Sequence, residues 1–265
     1  GGHAMMNAMT AIIKKDLKSV TDNRRMFASL MIVPLVLMIF LPSIFLVMLR
    51  FAPADPDIEK LLALLPGAMR QETWQQAAAG LMVNFLLPSF FLMIPVMTAS
   101  IMAASAFVGE KEKHTLETLL YCPLSVRQIF RAKVMASFLL SMLVSLISFA
   151  VMLLVTELES YFLLGTLLVP GINWLVILAL VSPAISLIAV TLIVRGSAKA
   201  QTVEESQQSA VFLILPVILL VVGQTTGLML VNGWVLLGLG VVCGLIAFLM
   251  LKMCMGRFTY EMLLK

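Results

Sequence analysis

The sequence predicts an all-α protein that crosses a membrane several times, and three observations support this. Of its 265 residues, 61% are hydrophobic and only 12% are charged, and the mean hydropathy is +1.06. These values lie outside the range of soluble globular domains. Residues 206–251 carry no charge, a stretch more than twice as long as the roughly 20 residues that cross a bilayer. The alternation of polar and apolar residues that would indicate a membrane barrel is absent from these segments.

Six apolar segments are long enough to be spanning helices, and a turn around residues 231–233 divides the longest uncharged stretch into two. No ionisable residue lies at the predicted middle of any span. Proton- or sodium-coupled carriers normally keep such a residue there, so the sequence does not favour that class. The predicted spans are residues 26–49, 80–108, 132–156, 172–194, 210–231 and 234–255.

An amphipathic segment, residues 5–25, precedes the first span. Met9, Ile13, Leu17 and Val20 recur at helical spacing with lysines between them, which is typical of a basic helix lying in the membrane interface. A solvated leader is the alternative. Residues 1–4 have the composition of an expression-tag remnant, so residues 5–265 are treated as a single membrane domain.

Two features follow the first span. Residues 50–79 form the only sizeable predicted loop on the outer side, and we expect this loop to fold onto the ends of the spans as a lid. Pro88 and Pro95 lie inside the second span. Each proline removes a backbone hydrogen bond and predicts a kink. The alternative is that these prolines serve only packing.

The distribution of basic residues predicts the orientation of the chain. Lysine and arginine concentrate in the N-terminal segment, in the second and fourth loops and in the C-terminal tail, which places these regions and both termini in the cytoplasm. The third loop, which we expect to contain Glu157 and Glu159, lies outside. The net charge of +4 is therefore explained by topology, and no nucleic-acid partner is expected.

No catalytic or metal site is predicted. The histidines are His3 and His114, and Cys122, Cys243 and Cys254 lack the spacing of metal ligands. The chain contains no Gly-x-x-x-x-Gly-Lys-Ser/Thr sequence, so P-loop binding of ATP by this chain is not expected.

A polar segment, residues 109–125, separates the second and third spans. Three leucines at spacing i, i+3 and i+4 lie opposite charged side chains, which predicts a short amphipathic helix that a proline ends. Ser125 and Gln128 have the spacing of a capping box that begins the next helix. We expect a compact knob suited to a groove on a partner, and the alternative is a helix resting on lipid headgroups. The leucines are Leu116, Leu119 and Leu120, and the proline is Pro123.

This segment resembles the signature of ABC-2 type permeases, the membrane subunits of ATP-binding cassette exporters, and the order of predicted elements is similar over essentially the whole chain. One departure is Lys113-His114, where many relatives have arginine followed by a small residue. The residues that match the signature are Gly109, Glu110, Lys111, Glu112, Thr115, Leu116, Glu117, Leu119, Leu120, Pro123 and Ser125.

The resemblance implies a coupling helix at roughly residues 111–121, within a coupling segment of residues 109–131, that docks into a cleft on a cytoplasmic ATPase. The leucines would anchor this helix. Glu204 and Glu205 would belong to a second, smaller contact. The implied partners are the ATP-binding cassette subunit, which holds ATP and Mg²⁺, a second permease subunit in a homo- or heterodimer, and membrane lipids. Glu110, Glu112 and Glu117 would make polar contacts at the rim of the cleft.

The implied function is ATP-driven export through a bacterial cytoplasmic membrane. The uncharged spans favour an amphipathic or hydrophobic substrate such as a drug, peptide or lipid, and sodium is a further possibility within the family. Two other functions fit the same sequence: an ATP-independent carrier or channel, and a membrane scaffold that recruits a cytoplasmic partner.

Overall fold

A computed structural model describes residues 2–53, 56–57, 60, 73–115, 117–118, 121, 123–197, 199–208, 211–225 and 233–257. Every regular element within these ranges is helical, in agreement with the predicted fold class. The helices are α1 (Gly2–Asp22), α2 (Arg24–Phe51), α3 (Trp74–Glu112), α4 (Val126–Leu164), α5 (Ile172–Ser197), α6 (Val203–Gln207), α7 (Val211–Thr225) and α8 (Gly233–Arg257).

Five of these helices are long and apolar enough to cross a membrane, counted over the described residues: α3, α4, α5, and the Met31–Phe51 and Gly233–Gly256 parts of α2 and α8. The protein is therefore a multi-pass membrane protein. The span predicted at residues 210–231 corresponds to α7. The 15 described residues of α7 fall short of the roughly 20 that a bilayer requires, and residues 226–232 lie outside the described part.

The third span is longer than predicted. Its helix, α4, has 39 residues and begins with the expected capping box between Ser125 and Gln128. The prediction that Glu157 and Glu159 lie in a loop was wrong, because both belong to the last turns of α4. The helix ends at Gly165, whose φ of 72° is a left-handed conformation that glycine adopts without strain.

Helix α3 is irregular around its prolines. It has a π-helical turn at Met82–Leu86 and an interruption at Leu92, between Pro88 and Pro95. Pro88 lacks the N–H group that would bond to a carbonyl one turn earlier, and α5 supplies donors instead. The Trp174 Nε1–H donates to the Val83 carbonyl at 2.7 Å, and the Asn173 amide donates to the Asn84 carbonyl at 3.2 Å.

Helices α3, α4 and α5 also meet through hydroxyl groups in the apolar core. The Ser141 hydroxyl of α4 contacts the Thr98 hydroxyl at 3.2 Å and the Ser186 hydroxyl at 3.0 Å, and it donates to the Pro95 carbonyl at 3.1 Å. Small hydroxyl residues allow spanning helices to approach closely. The outcome is a tight three-helix centre to which the other helices attach.

The N-terminal helix covers the start of α4. Ile12, Asp16 and Val20, spaced one turn apart, are buried, whereas Lys14 and Lys18 are exposed. Ile12 packs against Ile129 and Ala132. The predicted helix is therefore present, and its apolar stripe faces protein.

Candidate functional site

The candidate site lies at the end of the bundle that carries most of the basic residues, where α1, the last turns of α3 and the first turns of α4 meet. Five side chains form a connected group there, which we call the polar junction: Lys15, Asp16, Glu110, Thr115 and Lys133.

Lys133 is the centre of the polar junction. Only 2% of its side chain is exposed, and its Nζ donates to the Ala106 carbonyl at 2.6 Å, to Asp16 at 3.3 Å and to Glu110 at 3.4 Å. An ammonium group has three donors, so three acceptors saturate it. Because these acceptors belong to α1 and α3, this one α4 side chain joins three helices.

Glu110 uses both of its carboxylate oxygens inside the chain. Lys15 donates to one oxygen at 2.8 Å, and the Thr115 hydroxyl donates to the other. The Thr115 backbone N–H also donates to the Glu110 carbonyl at 3.0 Å. Glu110 was expected at the rim of a partner's cleft, but it is buried here and braces the turn that follows α3.

The charges of the polar junction cancel, since Lys15 and Lys133 face Asp16 and Glu110. Buried charges persist only when they are paired and hydrogen-bonded. Burial raises the pKa of Asp16, and the neighbouring Lys133 opposes this by lowering it. The desolvation of Asp16 thus outweighs the attraction of its partner.

Two further contacts fix the end of α3. Lys111 Nζ donates to the Ser197 carbonyl at the end of α5 at 2.8 Å, where helices leave their last carbonyls unpaired. Gly109 lies against α6, and a Cβ added there would be 3.8 Å from Ser105 Oγ and 4.0 Å from a methyl group of Val203. These are ordinary contact distances, so the packing does not require glycine at this position.

The segment after α3 does not begin where the coupling helix was expected. Lys111 and Glu112 are the last residues of α3, Lys113 caps it, and His114 has a φ of 55°. This left-handed conformation favours glycine. His114, which departs from the signature, therefore occupies the strained position of the turn. Helical geometry resumes at Glu117 and Thr118.

The remaining signature residues that the structure describes are exposed. Glu112, Glu117 and Pro123 are exposed, and Tyr121 between them is 89% exposed. Ser125 is exposed and caps α4. The predicted anchors Leu116, Leu119 and Leu120 lie outside the described residues.

The second predicted contact is α6, which follows Thr202. The Thr202 hydroxyl accepts from the Glu205 N–H at 3.2 Å, and the Glu205 carboxylate accepts from the Gln201 N–H at 2.9 Å. Glu205 is exposed and stabilises the start of its own helix. The side chain of Glu204 lies outside the described part of the chain.

Sequence reasoning missed Asp16 and treated Lys133 only as a basic residue that marks topology. A signal was present for both. Asp16 interrupts the apolar row of Ile12 and Val20 at helical spacing, and Lys133 stands one turn before Ser137 on a buried face of α4. A charge on an apolar helix face indicates a buried partner.

A family model described as "ABC-2 family transporter protein" matches residues 24–197, well over half of the chain. Neither a curated protein nor a solved structure matches the chain significantly.

Proposed function

Because the chain belongs to the ABC-2 transporter family, we propose that it is the membrane-spanning permease subunit of an ATP-driven exporter. A separate cytoplasmic subunit supplies the P-loop, ATP and Mg²⁺, and two permease subunits assemble around one pathway. In this proposal α7 and the residues after it complete a sixth span, and the end of the bundle with the polar junction faces the cytoplasm.

The observation that carries the proposal is the division of the signature segment into an inner and an outer half. Glu110, Lys111 and Thr115 make hydrogen bonds within the chain, whereas Glu112 and Glu117 are exposed. An exposed surface that is held by hydrogen bonds to three other helices is suited to receive a mechanical displacement. The outer half, with Tyr121, is the proposed ATPase contact. The predicted anchors Leu116, Leu119 and Leu120 belong to the same segment but lie outside the described residues.

The inner half transmits the push. Closure of the ATPase subunits on ATP displaces the coupling segment, and the hydrogen bond from Thr115 to Glu110 passes this displacement to the end of α3. Lys133 passes it to α4 and α1 through the contacts at 3.4 and 3.3 Å. Helix α3 bends at its irregular part, residues 82–92, where its backbone bonding is already interrupted. A pathway open to the cytoplasm then opens to the outside.

The proposed substrate is amphipathic or hydrophobic. Away from the polar junction, the described interior of α3, α4 and α5 is mostly apolar, and its polar groups include the hydrogen-bonded hydroxyls of Thr98, Ser141 and Ser186. Such a surface binds apolar compounds better than highly charged ones.

Purification of the tagged chain from its native membrane in mild detergent tests the proposal. A P-loop ATPase co-purifies with the wild-type chain, and Glu117→Lys releases it. Asp22→Lys is the matched control, because Asp22 is an exposed acid at the end of α1, outside the signature segment, and this variant retains the ATPase. A chain that emerges without any ATPase, or equal release by both variants, contradicts the proposal.

A further inference from the structure

A cavity of about 110 Å³ opens between α1 and the last turns of α3, beside the polar junction. It has room for several water molecules, since one water needs roughly 10–15 Å³ of such volume. Polar groups from both helices line it, together with the apolar side chains of Met102 and Ala106. Its polar lining includes Lys15, Ser19, Ser105, Lys113 and Thr115.

The charge around this cavity is positive. Asp16 and Glu110 also line it, but both contact the ammonium group of Lys133, which lies behind them. Lys15 also lines the cavity and gives one of its N–H groups to Glu110 at 2.8 Å, so Lys15 and Lys133 together balance the two carboxylates. Lys113 supplies the excess positive charge, since three ammonium groups stand against two carboxylates. The hydroxyl groups of Ser19 and Ser105 add neutral donors. This set of donors suits an anion of one negative charge.

The position of the cavity on the bundle indicates the source of that anion. Lys113 caps α3 and Met102 lies within α3, about 16.5 Å deeper at 1.5 Å per residue. The cavity is thus cationic where the chain meets the membrane surface and apolar toward the hydrocarbon. Exposed Lys18 on α1, one turn beyond Lys15, extends the positive surface beside it, and such basic residues attract anionic lipids.

We propose that this cavity is a binding site for the phosphate group of an anionic phospholipid, held between Lys15 and Lys113 with Ser19 and Ser105 as additional donors. The bound lipid stabilises the packing of α1 against α3 and therefore the polar junction. This proposal does not depend on the export function.

Thermal unfolding of the purified full chain in nanodiscs tests the site. The discs contain either phosphatidylcholine alone or phosphatidylcholine with one quarter phosphatidylglycerol. We expect phosphatidylglycerol to raise the Tm of the wild-type chain by several degrees. Lys113→Gln removes a cavity ammonium group and loses at least half of this rise. Lys14→Gln is the matched control, because it removes the same charge from an exposed residue of α1 that does not line the cavity, and it retains the full rise.

Two further measurements distinguish binding of the lipid at a specific site from general attraction between charges and from binding of free phosphate. Ser19→Leu fills the cavity without changing charge, and we expect it to lose the rise as Lys113→Gln does. Addition of 20 mM sodium phosphate to phosphatidylcholine discs leaves the Tm unchanged. Any of three results would overturn the proposal. Lys14→Gln and Lys113→Gln could reduce the rise in Tm equally, Ser19→Leu could leave that rise unchanged, or free phosphate could raise the Tm as much as the lipid does.

Discussion

The ammonium group of Lys133 lies 3.3 Å from the carboxylate of Asp16, although the two residues are 117 positions apart in the chain. Asp16 belongs to the helix that precedes the first span, and Lys133 belongs to the third span. Glu110, at the start of the signature segment, contacts the same ammonium group. One buried charge therefore connects the N-terminal helix with the segment that we propose to contact the ATPase.

Lys133→Met removes the positive charge that contacts the carboxylates of Asp16 and Glu110. Glu110 keeps its ion pair with Lys15, but Asp16 loses its partner. Breaking a buried ion pair on one side costs about 3–5 kcal/mol. We expect a loss of thermal stability of that order, measured as the melting temperature of the detergent-purified chain by fluorescence-detected size exclusion. Lys14→Met, on the exposed face of α1, is the control. If both variants melt alike, Lys133 does not hold the junction.

Asp16→Asn is expected to lower the stability of the chain less than Lys133→Met does. Burial raises the pKa of Asp16, which means that the fold favours the protonated, neutral carboxyl relative to the unfolded chain, where the pKa is about 3.9. The stability that Asp16 contributes is therefore present below the unfolded pKa and is lost as pH rises through the higher folded pKa.

Melting temperatures of wild type and Asp16→Asn between pH 4 and pH 7 test this sign. The melting temperature of wild type minus that of Asp16→Asn is expected to fall as pH rises, and Asp16→Asn is expected to be more stable than Lys133→Met throughout. If the melting temperature of wild type minus that of Asp16→Asn rises with pH instead, the attraction of Lys133 outweighs the desolvation of the Asp16 carboxylate.

Trp174→Phe removes the N–H that donates to the Val83 carbonyl at 2.7 Å. A buried carbonyl without a partner costs about 1–3 kcal/mol, and the melting temperature is expected to fall accordingly. Trp234→Phe, at an 82% exposed position, is the matched control and should change little. Pro88→Ala restores a backbone donor near this carbonyl, so we expect it to reduce the cost of Trp174→Phe in a double-mutant cycle. Additive effects would indicate that α5 does not compensate for the proline.

His114→Gly relieves the left-handed backbone conformation at φ 55°. Such a conformation costs a residue with a Cβ about 1 kcal/mol or more, so a small rise in melting temperature is expected. His114→Ala separates the backbone effect from loss of the imidazole, because alanine retains the strain. An alanine variant as stable as the glycine variant would place the effect in the side chain.

The sequence was sufficient for features that depend on local pattern. Apolar segments of spanning length predicted α2, α3, α4, α5 and α8, since a run of roughly 20 apolar residues without charge is typical of a helix in a bilayer. The capping box at Ser125 depends on two residues three positions apart, and the structure confirms it. The end of α4 was predicted too early because polar residues such as Glu157 do not stop a helix, whereas the left-handed Gly165 does.

The polar junction could not be predicted from local sequence patterns. Nothing near Asp16 in the sequence indicates that its partner lies in the third span, because the contact is made only once α1 has packed across the start of α4. The same holds for the donors that Trp174 and Asn173 give to α3. A proline predicts that a carbonyl loses its partner, but the identity of the replacement donor depends on which helix packs beside it.

The most direct measurement of the central claim is photocrosslinking in native membranes from a photoreactive amino acid placed at Tyr121. This position is 89% exposed within the proposed ATPase contact, and Trp234, 82% exposed near Asn173 at the other end of the bundle, is the control. We expect a crosslinked product between position 121 and a P-loop ATPase, and none from position 234. The claim is contradicted if position 121 yields no protein product, or yields one whose partner lacks a P-loop.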